Sequence, residues 1–436
     1  MSTSLSEEAI REATLGLAEA NAHFKRRFPG EATSRLPVHT VYGGAHLFRA
    51  DTAKKLGATA LKALDEHAPD AGVFGSVFGL REAQAKVVRE RVAEKLRSEP
   101  VEDLRVDFED GYGVRADAEE DGHAIAAAGE MAKGMREGTL PPLVGIRVKA
   151  LDEEQRARSI RTLDVFMTAL AGATGARAPE GFVVTLPKIT VPEQVGALAA
   201  LLETLEAKLG LSAGSIGIEV MIETPQVMDS LSALREQARG RCVAAHFGAY
   251  DYTAACGITA AQQALAHPAC DFARHMMQVA YAGTGMRISD GATTLLPIGP
   301  HRGASLSAEQ QAENRASVQR AWRVHHDNVR RAMENGFHQG WDLHPAQLVA
   351  RYAAVHGFFL DVVEAAGARL SRFVREAARA TQQGGVFDDA ATGQGLLNVF
   401  LRAMSSGAIT EDEATKMSSL TPAQLQSRSF AAIVKG

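Results

Sequence analysis

The stretch "RVDFEDGYG", Arg105 to Gly113, decides the fold. It opens as a short β-like run, carries Asp107, Glu109 and Asp110 in its second half, and breaks at once into glycine. Strand alternation sends Val106, Phe108 and Asp110 to one face and Asp107 and Glu109 to the other. On a solvated antiparallel strand these acids would be ordinary surface charges. The neighbouring runs are mainly apolar, however, as strands covered on both faces are. A carboxylate at the tip of a buried strand needs a cation or hydrogen bonds to hold it there.

Working outward, "LRVDFED" (104–110) is one of eight such runs. The others are "VHTVYG" (38–43), "LVGIRVK" (143–149), "GFVVTLPK" (181–188), "IGIEVMIET" (216–224), "CVAAHFGAYD" (242–251), "GMRISD" (285–290) and "GFHQGWDLHP" (336–345). Helical patterns such as Arg81–Arg97 and Glu193–Leu209 separate most of them. Parallel strands need crossovers of about a dozen residues or more, so the alternation predicts a (β/α)8 TIM barrel. The competing arrangement is an open doubly wound sheet. Its glycine-rich first turn is missing, because "YGGAH" is not GxGxxG. Residues 1–345 are read as the barrel domain, with a long insertion at 51–100. Residues 346–436 are read as a C-terminal helical extension serving as a lid or an oligomer contact, with the segment 379–395 as its hinge.

Composition narrows the function classes. With 436 residues, 46% hydrophobic, 23% charged and a formal charge of -5, the chain reads as an ordinary soluble protein. It has no basic run interleaved with aromatics, so no nucleic-acid partner is expected. The N-terminus lacks the basic start and apolar core of a secretory signal. No stretch approaches the roughly 18 apolar residues of a membrane span. Cys242, Cys256 and Cys270 match no zinc spacing and read as reduced thiols. A cytoplasmic location is the expectation.

In a barrel the active site lies at the C-terminal strand ends. Those ends carry Glu109 and Asp110 (second run), Arg147 (third), Lys188 (fourth), Glu223 (fifth), Asp251 (sixth), and Asp342 and His344 (eighth). Converging acids without bulk solvent call for a hard divalent ion held by carboxylate oxygens and waters. Tyr42 and His46, at the end of the first run, join Arg147, Lys188 and Asp342 as candidate substrate contacts. The plainer readings are that Glu223 and Asp251 sit at helix starts, that Arg147 is a structural ion pair, and that His39, His46 and His246 are satisfied core histidines.

The motifs "VDFEDGYG", "GIRVKAL", "LPKIT", "VMIETPQ", "FGAYDYTAACG" and "GWDLHPAQL" follow one another in this chain. In that order they resemble the HpcH/HpaI aldolase and citrate lyase β-subunit superfamily, over about Val106 to Leu348. The resemblance implies a barrel of the phosphoenolpyruvate/pyruvate type with Mg2+ at its mouth. It implies that Glu223 and Asp251 are the direct metal ligands, and that Glu109 and Asp110 hold metal-bound water or orient the loop. Arg147 then contacts the substrate carboxylate and enolate oxygen. Two departures, "EDGYG" for the common "EDAV" and "YGGAHLFRADTAKK" for a glycine-proline turn, set the chain apart from the CoA-dependent members. The implied activity is reversible carbon–carbon cleavage of a 2-oxo or 3-hydroxy carboxylate, or of its CoA thioester adduct, in a homo-oligomer, trimeric or hexameric. The general base stays open among His46, Asp342 and a metal-bound hydroxide. Phosphoryl or C–P chemistry on phosphoenolpyruvate and a non-catalytic small-acid sensor are the alternatives; no P-loop or arginine cluster favours the first.

Overall fold

The computed structural model describes residues 4–30, 35–303, 305–382 and 390–435. Eight parallel strands close into a barrel in sequence order: β1 (His39–Gly44), β2 (Asp103–Asp107), β3 (Leu143–Arg147), β4 (Val183–Leu186), β5 (Gly217–Ile222), β6 (Cys242–Phe247), β7 (Arg287–Ala292) and β8 (Gln339–Asp342). Closure falls between β1 and β8, where Val41 pairs in register with Asp342. The expected TIM barrel is therefore present, and its strands lie within the eight apolar runs or a residue or two from them. Segment 51–100 folds as three helices, Thr52–His67, Ala71–Phe78 and Glu82–Ser98, between β1 and β2.

Alternation divides the strands into two unlike faces. Leu104, Val106, Val144, Ile146, Val184, Ile218, Val220 and Phe247 point outward and are buried beneath the helices. The inward face is polar, unlike the branched aliphatic filling common in such barrels. In the lumen Arg105 pairs with Asp103, donates from Nη2 to Glu219 Oε2 at 3.0 Å and from Nε to Thr185 Oγ1 at 3.0 Å. Burial raises the Glu219 carboxyl, but the Arg105 charge, His246 and these hydrogen bonds outweigh it and bring the group down to about 2. Such a cluster adds little net stability. It does fix register, because a one-residue slip would drive these charges into the apolar outer layer.

Beyond β8, the helices Gln347–Gln382, Ala390–Ser405, Glu411–Ser418, Pro422–Gln426 and Phe430–Lys435 form the expected helical extension. They pack on the outer helices of the same barrel: Tyr352 donates to the Pro100 carbonyl at 3.1 Å, and Arg91 binds both the Ala408 carbonyl and Glu413. Leu397, Phe400 and Ala403 are buried there. Of the expected hinge, residues 383–389 lie outside the described residues. No helix among the described residues is long and apolar enough to cross a membrane.

Candidate active site at the C-terminal strand ends

Asp107, the last residue of β2, faces the lumen, and its carboxylate accepts four hydrogen bonds. Two come from Arg147, Nε at 2.7 Å and Nη2 at 2.6 Å, and two from the backbone N–H groups of Glu109 (3.0 Å) and Gly111 (2.8 Å). Glycine is needed at 111, since a Cβ there would stand 2.6 Å from Asp107 Oδ2. Both partners of this pair are fully buried. Burial works against the Arg147 charge, but Asp107 beside it holds the guanidinium above even its usual range. The remaining nitrogen, Nη1, lies 2.9 Å from Glu109 Oε2 and 3.7 Å from Met221 Sδ. Tyr42 and Trp341 flank the guanidinium, their ring centroids 4.8 and 5.5 Å away.

Across the mouth, Lys188 follows β4 with φ of 49°, a left-handed conformation costly for a side-chain-bearing residue. The turn aims its backbone N–H at Glu223 Oε1, 2.5 Å away, while its ammonium bridges Glu109 and Asp110, the latter at 2.9 Å. Burial raises Asp110, but the Lys188 hydrogen bond and the Arg147 charge hold it below its ordinary value; Glu109, more deeply buried, stays raised.

Glu223, one residue past β5, is 2% exposed. Burial first, then the charges of Asp251 and Glu109, push its carboxyl up to about 8. Gly248, after β6, lets the backbone approach it, since a Cβ at 248 would come within 2.5 Å of Glu223 Oε2. Asp251 is exposed in the first turn of the helix Ala249–Ala255. Among the described residues no group of three or more His, Cys, Asp or Glu side chains is arranged to enclose a metal ion. The donors at hand are carboxylate oxygens only. Such a set fits a hard ion that keeps most of its waters, as Mg2+ does, and not a softer metal wanting nitrogen or sulfur.

The mouth thus gathers Glu109, Asp110, Arg147, Lys188, Glu223 and Asp251. Tyr42 is adjacent, but its hydroxyl points down the lumen, donating to Glu219 Oε1 at 3.2 Å beside His246 Nδ1 at 3.2 Å, so its ring rather than its oxygen meets Arg147. His46 belongs to a separate cluster with Tyr112 and His123 (ring centroids 5.6 and 6.0 Å away), and burial lowers its pKa.

Asp342 requires a correction. It lies on the outer face of β8, paired with Val41, and is fully buried under the helices against His325 Nε2 (2.7 Å), Arg351 Nη2 (2.8 Å) and His39 Nδ1 (3.2 Å). A carboxylate so committed has no oxygen to offer a substrate or a proton. The inward residue of that strand end is Trp341, 4.5 Å from Tyr42 and 5.4 Å from His246 between centroids. Sequence reasoning missed Trp341 and Asp107. Asp107 could have been found, because it shares the inward face with Glu109. His344 accepts from the Ala346 N–H at 3.2 Å, a backbone role.

Against known proteins, the model of a family described as "Domain of unknown function (DUF6986)" matches residues 17–433. No curated protein matches the chain. Among solved structures, a citrate lyase from Burkholderia xenovorans LB400 is similar at 20% identity and a TM-score of 0.53, over 88% of this chain and 97% of that one. The malate synthase of Haloferax volcanii in a magnesium/glyoxylate complex follows at 14% and 0.48, over 93% and 100%. The citrate lyase beta subunit from M. tuberculosis, complexed with oxaloacetate and magnesium, is 16% identical with a TM-score of 0.39, over 76% and 99%. The likeness to the Burkholderia xenovorans structure shows a shared fold.

Proposed function

We propose that this chain, which belongs to the DUF6986 family, is a Mg2+-dependent carbon–carbon lyase or aldolase acting on a 2-oxo or 3-hydroxy carboxylate, free or as a CoA thioester adduct. One observation carries the reading: the buried carboxylate of Glu223 feels the charges of both Asp251 and Glu109, and Glu109 in turn lies 2.9 Å from a buried arginine fork, at the strand-end mouth of the barrel. Glu223 and Asp251 would hold the ion, which when bound polarises a keto oxygen and stabilises enolate charge.

The protein's own residues do the rest. Asp107 fixes the orientation of Arg147 through two parallel hydrogen bonds, leaving Nη1 as the donor for a substrate carboxylate or enolate oxygen. The Tyr42 and Trp341 rings wall that fork on the lumen side and keep water from it. Glu109 sits on Nη1 at 2.9 Å, and Lys188, which pairs with Glu109 and Asp110, gives that acid a second cation to keep when a substrate oxygen takes its place on Arg147. A homo-oligomer, trimeric or hexameric, belongs to the same reading.

The test is a screen of oxaloacetate, pyruvate and glyoxylate, with and without CoA thioesters and Mg2+, for thermal stabilisation and for cleavage. Stabilisation by a 2-oxo acid that requires Mg2+, together with turnover of at least one adduct, is the expected result. Absence of any Mg2+-dependent stabilisation across the panel would overturn the assignment.

A further inference from the structure

The opposite end of the barrel holds a second feature that the lyase reading does not use. A cavity of about 280 Å³ opens where β7 and β8 begin, between Leu36–Pro37, which precede β1, and the end of the helix Pro268–Tyr281. Arg287, the first residue of β7, faces this cavity from the barrel wall. Its Nε is buried without a partner, and among the described residues no carboxylate, carbonyl or hydroxyl accepts a hydrogen bond from the rest of its guanidinium. Arg287 as a whole is half-buried, so the rest of its fork is open to the cavity, while an Nε shut away from water without a partner is costly. The two acids within electrostatic reach are Asp103 and Glu219. Both are already taken by Arg105: Asp103 by both its oxygens and Glu219 by Oε2 at 3.0 Å. Burial, with Arg105 adding to it, consequently lowers the Arg287 pKa despite those acids.

We propose that this cavity is a second binding site, for a small organic monocarboxylate, with Arg287 as its anchor. The vacant fork offers the planar, two-pronged donor pattern that a carboxylate matches. Leu36, Pro37, Met286 and Ile288 supply an apolar wall for a short hydrocarbon chain. Arg402 also lines the cavity and attracts any anion; Asp103 and Glu219, deeper in the lumen, set against it a repulsion that grows with the charge the anion carries, which disfavours phosphate. The site lies at the strand starts, a barrel's length from Glu223 and Asp251 at the strand ends, so its occupation does not require the catalytic mouth.

The experiment is titration calorimetry of the full-length protein in chelator, so that no cation sits at the catalytic end, with butyrate as probe and inorganic phosphate as its counterpart. Butyrate should bind wild type and Arg147→Lys equally. Arg287→Gln and Leu36→Trp, which fills the cavity from its wall, should each weaken it at least tenfold, and phosphate should bind at least tenfold more weakly than butyrate. Should Arg287→Gln fail to fold, Leu36→Trp alone decides. Unchanged affinity in Leu36→Trp or in a folded Arg287→Gln, loss of binding in Arg147→Lys, or phosphate binding as tight as butyrate would overturn the proposal. None of these results bears on Mg2+-dependent cleavage, which the screen of 2-oxo acids tests separately.

Discussion

Asp107→Asn isolates what holds Arg147 at the candidate site. The substitution keeps the side chain's shape but removes the negative charge, and it turns an –NH2 toward a guanidinium that can only donate. Asp107 supplies two of the polar contacts to Arg147, at 2.7 and 2.6 Å, and both residues are almost wholly shielded from water. Breaking a buried pair on one side typically costs about 3–5 kcal/mol, because the surviving charge stays buried. Glu109, 2.9 Å from Nη1, remains as partial compensation, so the lower end of that range is expected. Against a total stability of about 5–15 kcal/mol this is a large fraction, readable as a fall in the urea midpoint at unchanged slope. Turnover should fall by about 10²–10³, the cost of losing one preorganised electrostatic donor. The double variant Asp107→Asn/Arg147→Met, which keeps an oxygen for the backbone N–H groups of Glu109 and Gly111 and removes the stranded charge, should recover part of the stability and none of the activity. If Asp107→Asn stays within about 0.5 kcal/mol of wild type, or the double variant is no more stable than the single one, the account of this pair is wrong.

Four further predictions concern the mouth and its surroundings. Glu223→Gln and Asp251→Asn should each weaken Mg2+ binding in calorimetry while leaving the circular dichroism spectrum unchanged; wild-type affinity in both would remove them as ligands. With its folded pKa raised to about 8, Glu223 holds a proton that the unfolded chain has released, so metal-free stability should decline as pH rises from about 4.5 to 8. The slope from this group is at most about 1.4 kcal/mol per unit and should vanish in Glu223→Gln; Mg2+ affinity should rise about tenfold from pH 7 to 9 as the proton stops competing. Arg147→Lys keeps the charge and loses the fork, so kcat should fall with KM and Mg2+ affinity nearly unchanged; wild-type turnover would make the arginine structural. Asp342→Asn should lower stability by a few kcal/mol without altering KM, and a KM effect at full stability would return Asp342 to the substrate.

Much of this molecule could be read from the chain because its two outer signals are redundant. Eight apolar runs with helical crossovers admit few closed arrangements, and the rule that chemistry sits at strand ends then selects Glu109, Arg147, Lys188, Glu223 and Asp251 together. What stayed hidden is parity within a buried strand. A solvated strand declares its faces by alternating polar and apolar residues. In "GWDLHP" a tryptophan and an aspartate are adjacent, and because both faces of β8 are covered, neither composition nor period says which one turns inward. Pairing with β1 decides it: Val41 belongs to the outer layer, so its partner Asp342 does too, and Trp341 falls to the lumen. The same parity, applied from Glu109 back to Asp107, explains why the acids at the mouth outnumber their cations. Among the described residues, Asp107, Glu109, Asp110, Glu223 and Asp251 are set against Arg147 and Lys188. With Glu223 ionised the excess at the mouth is three negative charges, which a proton on Glu223 lowers to two and a divalent cation to one. The raised carboxyl of Glu223 and the proposed Mg2+ site are therefore two answers to one electrostatic imbalance, and whichever is present should displace the other.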